Sequence, residues 1–192
     1  MGQVLCYRGC KSLLFFSVLG LLFFSSCRST RSFTSPLPEE YSIRMSKSSA
    51  SGYKNVKRVR KYEFTHRDVP AAFDGCRLGF VSDLHYRSLL KEKGLRDITR
   101  LLNDLCLDAL LIGGDLHEGC EYVPDVIAAL GAVKTPLGTY AVLGNNDYEA
   151  CYDDILKEME RQGIHLLEHE ADTLKRNGGR IVIAGVRNPF NL

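Results

Sequence analysis

The sequence predicts an α/β fold, a mostly parallel sheet with helices packed against it, and three observations carry that prediction. Short apolar runs of strand length alternate with longer segments whose large aliphatic residues recur every three or four positions. The links between them are short, so the helices serve as right-handed crossovers between parallel neighbours. Each of the main apolar runs ends in a polar, glycine-bearing loop. A chain of 192 residues, 45% of them apolar, has room for one ordinary domain.

Order is expected to begin at the alternating strand Lys61-Tyr62-Glu63-Phe64. Asp74-Gly75 makes a turn before Arg77-Leu78-Gly79-Phe80-Val81, a strand that gives way to Ser82-Asp83-Leu84-His85. A helix over 92–106 follows, with Leu95, Ile98, Leu101, Leu102 and Leu105 on one face and Cys106 beside them as a small buried hydrophobe. Asp108-Ala109-Leu110-Leu111-Ile112 is a continuous apolar run, as in strands buried on both faces, and it ends at Gly113-Gly114-Asp115. Val123, Val126, Ile127 and Leu130 mark a second helix, and Gly138-Thr139-Tyr140-Ala141-Val142-Leu143 a strand ending in Gly144-Asn145-Asn146-Asp147. A third helix over 152–162 turns Ile155, Leu156 and Met159 inward and stops at Gly163; strands follow near 164–167 and 180–186.

The segment ahead of the fold has a different character. Arg8 and Lys11 precede an apolar run over 13–24, broken only by Ser17, and Phe24-Ser25-Ser26-Cys27 resembles a lipoprotein processing box. The run has the length of a signal-peptide core and falls short of the ~20 residues that a spanning helix needs. Residues 1–27 therefore read as a signal or lipoprotein-type anchor, either acylated at Cys27 or left uncleaved, and the protein as exported or membrane-associated. Residues 28–60 read as a disordered, basic, Ser-rich linker, and 61–192 as the folded part. From 28 to 61 nine Lys/Arg face two acids, a net +7; from 62 onward 14 face 21, a net −7. A basic tether suits a lipid surface, and it lacks the interleaved aromatics of a nucleic-acid partner, so none is expected. An acidic domain that handled phosphate would need positive charge from elsewhere, and metal ions are the obvious source. The four cysteines of the folded part, Cys76, Cys106, Cys120 and Cys151, have no metal-ligand spacing and name no disulfide pair.

In parallel α/β sheets the site lies beyond the carboxyl ends of the strands. That rule selects three loops, 83–85, 114–118 and 144–147. Asp83, His85, Asp115 and Asn145 would then offer two carboxylates, an imidazole and an amide oxygen at neighbouring strand ends. Such a mixture suits a hard-to-borderline divalent ion such as Mn²⁺, Fe²⁺ or Zn²⁺, and a shared carboxylate can bridge two of them. Taken singly, each of these residues reads as a turn residue or a cap.

Asp83-Leu84-His85, Gly114-Asp115-Leu116-His117-Glu118 and Gly144-Asn145-Asn146-Asp147 resemble, in order, the first three motifs of the calcineurin-like metallophosphoesterases. The phrases Phe73-Asp74-Gly75, Val81-Ser82-Asp83-Leu84-His85-Tyr86 and Ile112-Gly113-Gly114-Asp115-Leu116 are similar to the membrane-associated branch of that family, which includes UDP-2,3-diacylglucosamine pyrophosphatase-like phosphohydrolases. The resemblance implies an αββα sandwich and hydrolysis of a phosphoric ester or pyrophosphate bond by metal-bound hydroxide. It implies two divalent metal ions, with Asp83 and His85 on the first, Asp115 bridging and Asn145 on the second. The implied substrate is a phosphorylated small molecule or a lipid-linked nucleotide. Glu118 matches the acid that partners a histidine in many relatives, and that histidine's place is taken by Asn146. Glu118 and Asn146 are the catalytic candidates the resemblance points to, and Asn146 is where this sequence departs from the family: an amide donates a hydrogen bond to phosphate but delivers no proton to a leaving group.

The family also completes its site with three later histidines, two of them in a Gly-His-x-His motif that this sequence lacks; His165 and His169 lie too early to replace them. The chain accordingly reads as the N-terminal half of the domain, an incomplete sandwich. The alternative function is an inactive remnant or a membrane-tethered binding protein. His117 is expected to face solvent or substrate, His66 to lie on the surface, and Asp147 to bond within its own loop. Tyr86 and Tyr148 flank the loops, where packing and a substrate cleft explain them equally well.

Overall fold

The computed structural model describes residues 3–7, 41–48, 50, 52–148 and 151–187. Its centre is four parallel strands, β4 (Leu78–Ser82), β5 (Ala109–Ile112), β6 (Thr139–Ala141) and β7 (Ile164–Leu166), adjacent in that order. Three helices make the connections: α1 (Glu92–Asp104) after β4, α2 (Val123–Gly131) after β5 and α3 (Tyr152–Gln162) after β6. The α/β class and the parallel register follow the apolar runs of the sequence, and three of the four strand ends carry the polar loops selected above.

Each helix earns its place through one apolar stripe. Leu95, Ile98, Leu101 and Leu102 of α1, Val123, Val126, Ile127 and Leu130 of α2, and Ile155 and Met159 of α3 are buried in one cluster with Val81, Leu110 and Ile112 of the sheet. Each such side chain contributes ~1.5–3 kcal/mol by leaving water. Gly163 ends α3 in a left-handed conformation, φ 66°, which glycine adopts without steric penalty. Cys106 departs from expectation: α1 stops at Asp104, and Cys106 follows in a left-handed turn, φ 50°, with its thiol exposed.

The opposite sheet face supports a second, smaller cluster of Phe73, Cys76, Leu78, Ala109, Tyr140, Leu167, Leu174 and Ile181. Leu174 and Ile181 belong to an antiparallel hairpin, β8 (Glu170–Arg176) and β9 (Gly179–Gly185), which forms a separate two-stranded sheet. A helix layer, a main sheet and a facing hairpin are the described layers, consistent with an α/β fold. The sequence pattern located β9 but missed β8, whose only fully buried residue is Leu174.

The main sheet also extends beyond the expected boundary at 61. Strand β1 (Gln3–Tyr7) lies between β4 and β3 (Val59–His66), antiparallel to the first and parallel to the second, and β2 (Tyr41–Ser48) pairs antiparallel with β3 at the edge. Strands β1 and β2 therefore fall within the stretches 1–27 and 28–60 that the sequence placed ahead of the fold. The signal in β2 is weak because Ile43 and Met45, opposite Phe64 and Tyr62, remain 56% and 55% exposed. The apolar run over 13–24 and Cys27, on which the lipoprotein reading rests, lie outside the described residues.

Two outcomes test this packing. Ile127→Ala should destabilise the chain by ~2–5 kcal/mol in urea denaturation, because Ile127 is fully buried and its removal leaves a cavity. Burial, helped by the Asp108 carboxylate, pushes the Cys76 thiol up to about 11. At pH 8 it should therefore resist alkylation in the native chain while Cys106 reacts, as peptide mass mapping would show.

Candidate metal centre

The three selected loops meet at one rim, held by their backbones before any side chain is considered. Asp83 N–H donates to the Gly114 carbonyl at 3.0 Å, His85 N–H to Asp115 at 3.0 Å and Tyr86 N–H to Leu116 at 2.9 Å, so the first loop runs alongside the second. The second and third touch through glycines. A Cβ on Gly114, at φ 86°, would sit 2.0 Å from the Gly144 nitrogen, and one on Gly144 would sit 2.2 Å from Asp115 Oδ1. Only glycine permits that approach.

At the rim, Asp83, His85 and Asp115 offer ligand atoms that all lie within 4.8 Å of one another. All three sit at positive φ, 54°, 41° and 53°, a strained region for such residues and one concentrated at functional sites. Among the described residues no Lys or Arg forms an ion pair with either Asp carboxylate. Asn145 lies on the adjoining loop. Its amide nitrogen donates to Asn146 Oδ1 at 2.7 Å, which leaves the Asn145 carbonyl oxygen as the atom it can offer, and Asn146 N–H donates to Asp115 Oδ1 at 3.1 Å. Two carboxylates, an imidazole and an amide oxygen on touching loops fit a divalent ion or an ion pair.

Glu118 does not partner Asn146. Its Oε1 lies 2.5 Å from His85 Nδ1, while Asn146 Nδ2 stands 3.5 Å from the same nitrogen. A carboxylate on Nδ1 orients the imidazole and leaves Nε2 for a metal, the usual outer-shell arrangement around a histidine ligand. His165 stacks on Tyr140 at 5.1 Å on β7, and His169 is exposed in the turn before β8. Neither is among the clustered residues.

His117 is the residue that sequence reasoning misplaced: instead of facing solvent it is 3% exposed, whereas Asp147 bonds within its own loop as expected and is itself 0% exposed. The Asp147 carboxylate accepts N–H bonds from Gly144 at 2.9 Å within its own loop, and also from Asp115 at 2.7 Å and Leu116 at 3.1 Å across to the second. It thereby fixes the backbone of Asp115, whose side chain is held in turn by the third loop. His117 Nδ1 accepts from Gly119 N–H at 3.2 Å, which puts its proton on Nε2, 3.7 Å from Asp147 Oδ1. Burial pushes the Asp147 carboxyl upward, against the N–H bonds and the imidazole that pull it down. Tyr86 is core, 1% exposed, and Tyr148 stacks on Tyr152 at 5.6 Å with both hydroxyls donating to Glu168.

A disulfide, also absent from the sequence reading, joins Cys120 to Cys151 across a sequence separation of 31. It ties the second loop, just past Glu118, to the start of α3, just past the third. Asp147→Asn keeps the shape but turns an amide N–H₂ toward N–H donors. It should cost ~1–3 kcal/mol in urea denaturation and weaken Mn²⁺ binding ~10–100-fold by calorimetry.

Comparison with known proteins agrees with this geometry. The calcineurin-like phosphoesterase family matches residues 76–185. A "Transmembrane protein with metallophosphoesterase domain" from Danio rerio is 26% identical over 134 residues, which cover 67% of this chain and 31% of that protein. An "Uncharacterized metallophosphoesterase" from Aquifex aeolicus is 28% identical over 133 residues, 67% of this chain and 48% of the other. The "UDP-2,3-diacylglucosamine pyrophosphatase LpxG" of Chlamydia trachomatis is 29% identical over 96 residues, 49% of this chain and 29% of that protein. This chain thus spans less than half the length of each of these relatives. No solved structure matches it. Because the family match covers more than half of its residues and includes all three loops, the chain belongs to the calcineurin-like phosphoesterase family.

Proposed function

We propose that the chain carries the metal-binding half of a phosphoric-ester hydrolase whose substrate is a phosphoanhydride, such as a lipid-linked nucleotide. The observation that carries the reading is the convergence of Asp83, His85 and Asp115 within 4.8 Å at the rim of a parallel sheet. Asp83 and His85 would hold one divalent ion, Asp115 would bridge, and Asn145 would hold a second. Bound there, the ions would supply Lewis acidity, neutralising phosphate charge and lowering the pKa of a coordinated water.

The chain's own groups then divide the remaining work. Glu118 orients the His85 ring, Asp147 holds the Asp115 backbone, and Asn146 presents an amide N–H to a phosphate oxygen. Asn146 cannot protonate a leaving group, so the substrates best served are those whose leaving group departs as a stable anion. A phosphate released from an anhydride is such a group. The pyrophosphatase named among the relatives acts on a substrate of this kind, which supports the choice.

Membrane attachment through the N-terminal segment is part of the proposal and rests on the apolar run over 13–24. Among the described residues no helix is long and apolar enough to cross a membrane. The alternative, an inert tethered binding protein, keeps one specific support: Asn146 stands where many relatives place a proton donor.

The test is direct. The full chain should bind Mn²⁺ and hydrolyse an aryl phosphodiester in its presence, and Asp115→Ala should cut turnover by more than the ~10–100-fold typical of losing an outer-shell partner. Equal turnover by the variant would refute the assignment; Mn²⁺ binding without turnover by either protein would favour the inert reading.

A further inference from the structure

Two residues past the first site loop stands a charged side chain that the metal reading does not use, Arg87. Burial alternates along this stretch: Leu84 and Tyr86, 0% and 1% exposed, enter the core, whereas Asp83, His85 and Arg87 do not. Positive φ recurs at the same alternate positions, with Arg87 at 82°. Arg87 follows two candidate ligands closely along the chain, its Cα no more than about 7 Å from that of His85.

Its guanidinium is held but not neutralised. The carbon at its centre lies 5.0 Å from the Tyr86 ring and 5.2 Å from the Tyr122 ring, and the two rings meet edge to face at 6.1 Å. Arg96, Arg100, Arg161 and Arg187 each have a carboxylate partner. Among the described residues Arg87 has none, and its buried Nε makes no hydrogen bond. Arg187 is the instructive contrast. It stacks on Tyr148 and Tyr152, at 4.7 and 5.8 Å, but Glu168 at 3.8 Å already answers its charge. An arginine set between two rings with its charge unanswered is pre-oriented for an external anion.

We propose that Arg87 binds the phosphoryl group adjacent to the one attacked, which makes it the residue that selects phosphoanhydrides over simple phosphate esters. This rests on the hydrolase reading above and adds a role within it. When the P–O bond breaks, negative charge builds on the departing phosphate. Asn146 cannot answer that charge with a proton, and a guanidinium beside it answers it electrostatically.

The experiment uses the purified full chain with Mn²⁺ and titrates methylenediphosphonate, a diphosphate analogue that cannot be cleaved at its bridge, and separately inorganic phosphate. Wild type is compared with Arg87→Ala and Arg87→Lys, the latter keeping the charge and losing the planar fork. Mn²⁺ affinity should be unchanged in both variants. Methylenediphosphonate affinity should fall ~10–100-fold for Arg87→Ala and less for Arg87→Lys, while phosphate affinity moves little. Intact Mn²⁺ binding with diphosphonate affinity within about twofold of wild type in both variants would overturn the Arg87 assignment alone. Absence of Mn²⁺ binding in the wild type would overturn the hydrolase reading and this proposal with it. Should Arg87→Ala fail to fold, Arg87→Lys decides the matter on the same readings.

Discussion

A single buried carboxylate, Asp147, holds the rim together. The second and third loops leave parallel neighbours β5 and β6, and nothing in a parallel sheet requires their outer turns to touch. They touch because Asp147 accepts N–H bonds from Gly144, Asp115 and Leu116, and because Gly114 and Gly144 leave room for the approach. Those bonds matter for what they oppose. Asp83 and Asp115 repel each other, and three of the clustered residues sit at backbone angles that cost of order 1–3 kcal/mol each. A buried carboxylate whose acceptor sites are filled by backbone donors offsets part of that cost and leaves the loops a single arrangement.

The disulfide acts on the same pair of loops from their far ends. Asp147 joins them at the sheet, and Cys120–Cys151 joins them where they pass into the flanking helices. Closing a loop of that length removes conformational freedom from the unfolded chain, worth roughly 2–4 kcal/mol. Persistent disulfides belong to oxidising surroundings, so the bond and the proposed export are mutually consistent. Glu118 lies two residues from Cys120, which makes the group that orients His85 a beneficiary of the staple.

How much of this was legible in the sequence depends on the range of each interaction. The four parallel strands, their helices and the three loops follow from periodicity and from the site rule for parallel sheets, and the convergence of Asp83, His85 and Asp115 followed with them. Local pattern failed where partners lie far along the chain. Strand β2 alternates correctly, but its apolar residues are half-exposed, so it resembles a linker until β3 is beside it. His117 looks like one more polar residue of a loop, and only the fold shows it buried against Asp147. The Cys120–Cys151 pair has no spacing signature, because its geometry is set by where β5 and β6 end. Resemblance matches Glu118 to an acid that partners a histidine in many relatives, a place held here by Asn146, and only the structure shows that Glu118 turns to His85 instead.

The charge balance of the folded part draws these features into one constraint. With 14 basic residues against 21 acidic from Tyr62 onward, the domain's average field repels a phosphorylated substrate, so binding must rely on local cations. Three of the six arginines with described ion pairs, Arg96, Arg100 and Arg161, are spent on neighbouring carboxylates along the helices. Metal ions at Asp83, His85 and Asp115 would convert the most acidic point of the rim into its most positive one. Arg87 would extend that positive region by one phosphoryl group, at low entropic cost because two tyrosines already fix its orientation. On the proposed reading, an acidic surface with one compensated point would gain selectivity: an anion placed elsewhere on the domain would meet repulsion, and one that spanned the ion site and Arg87 would have its charge answered at both ends.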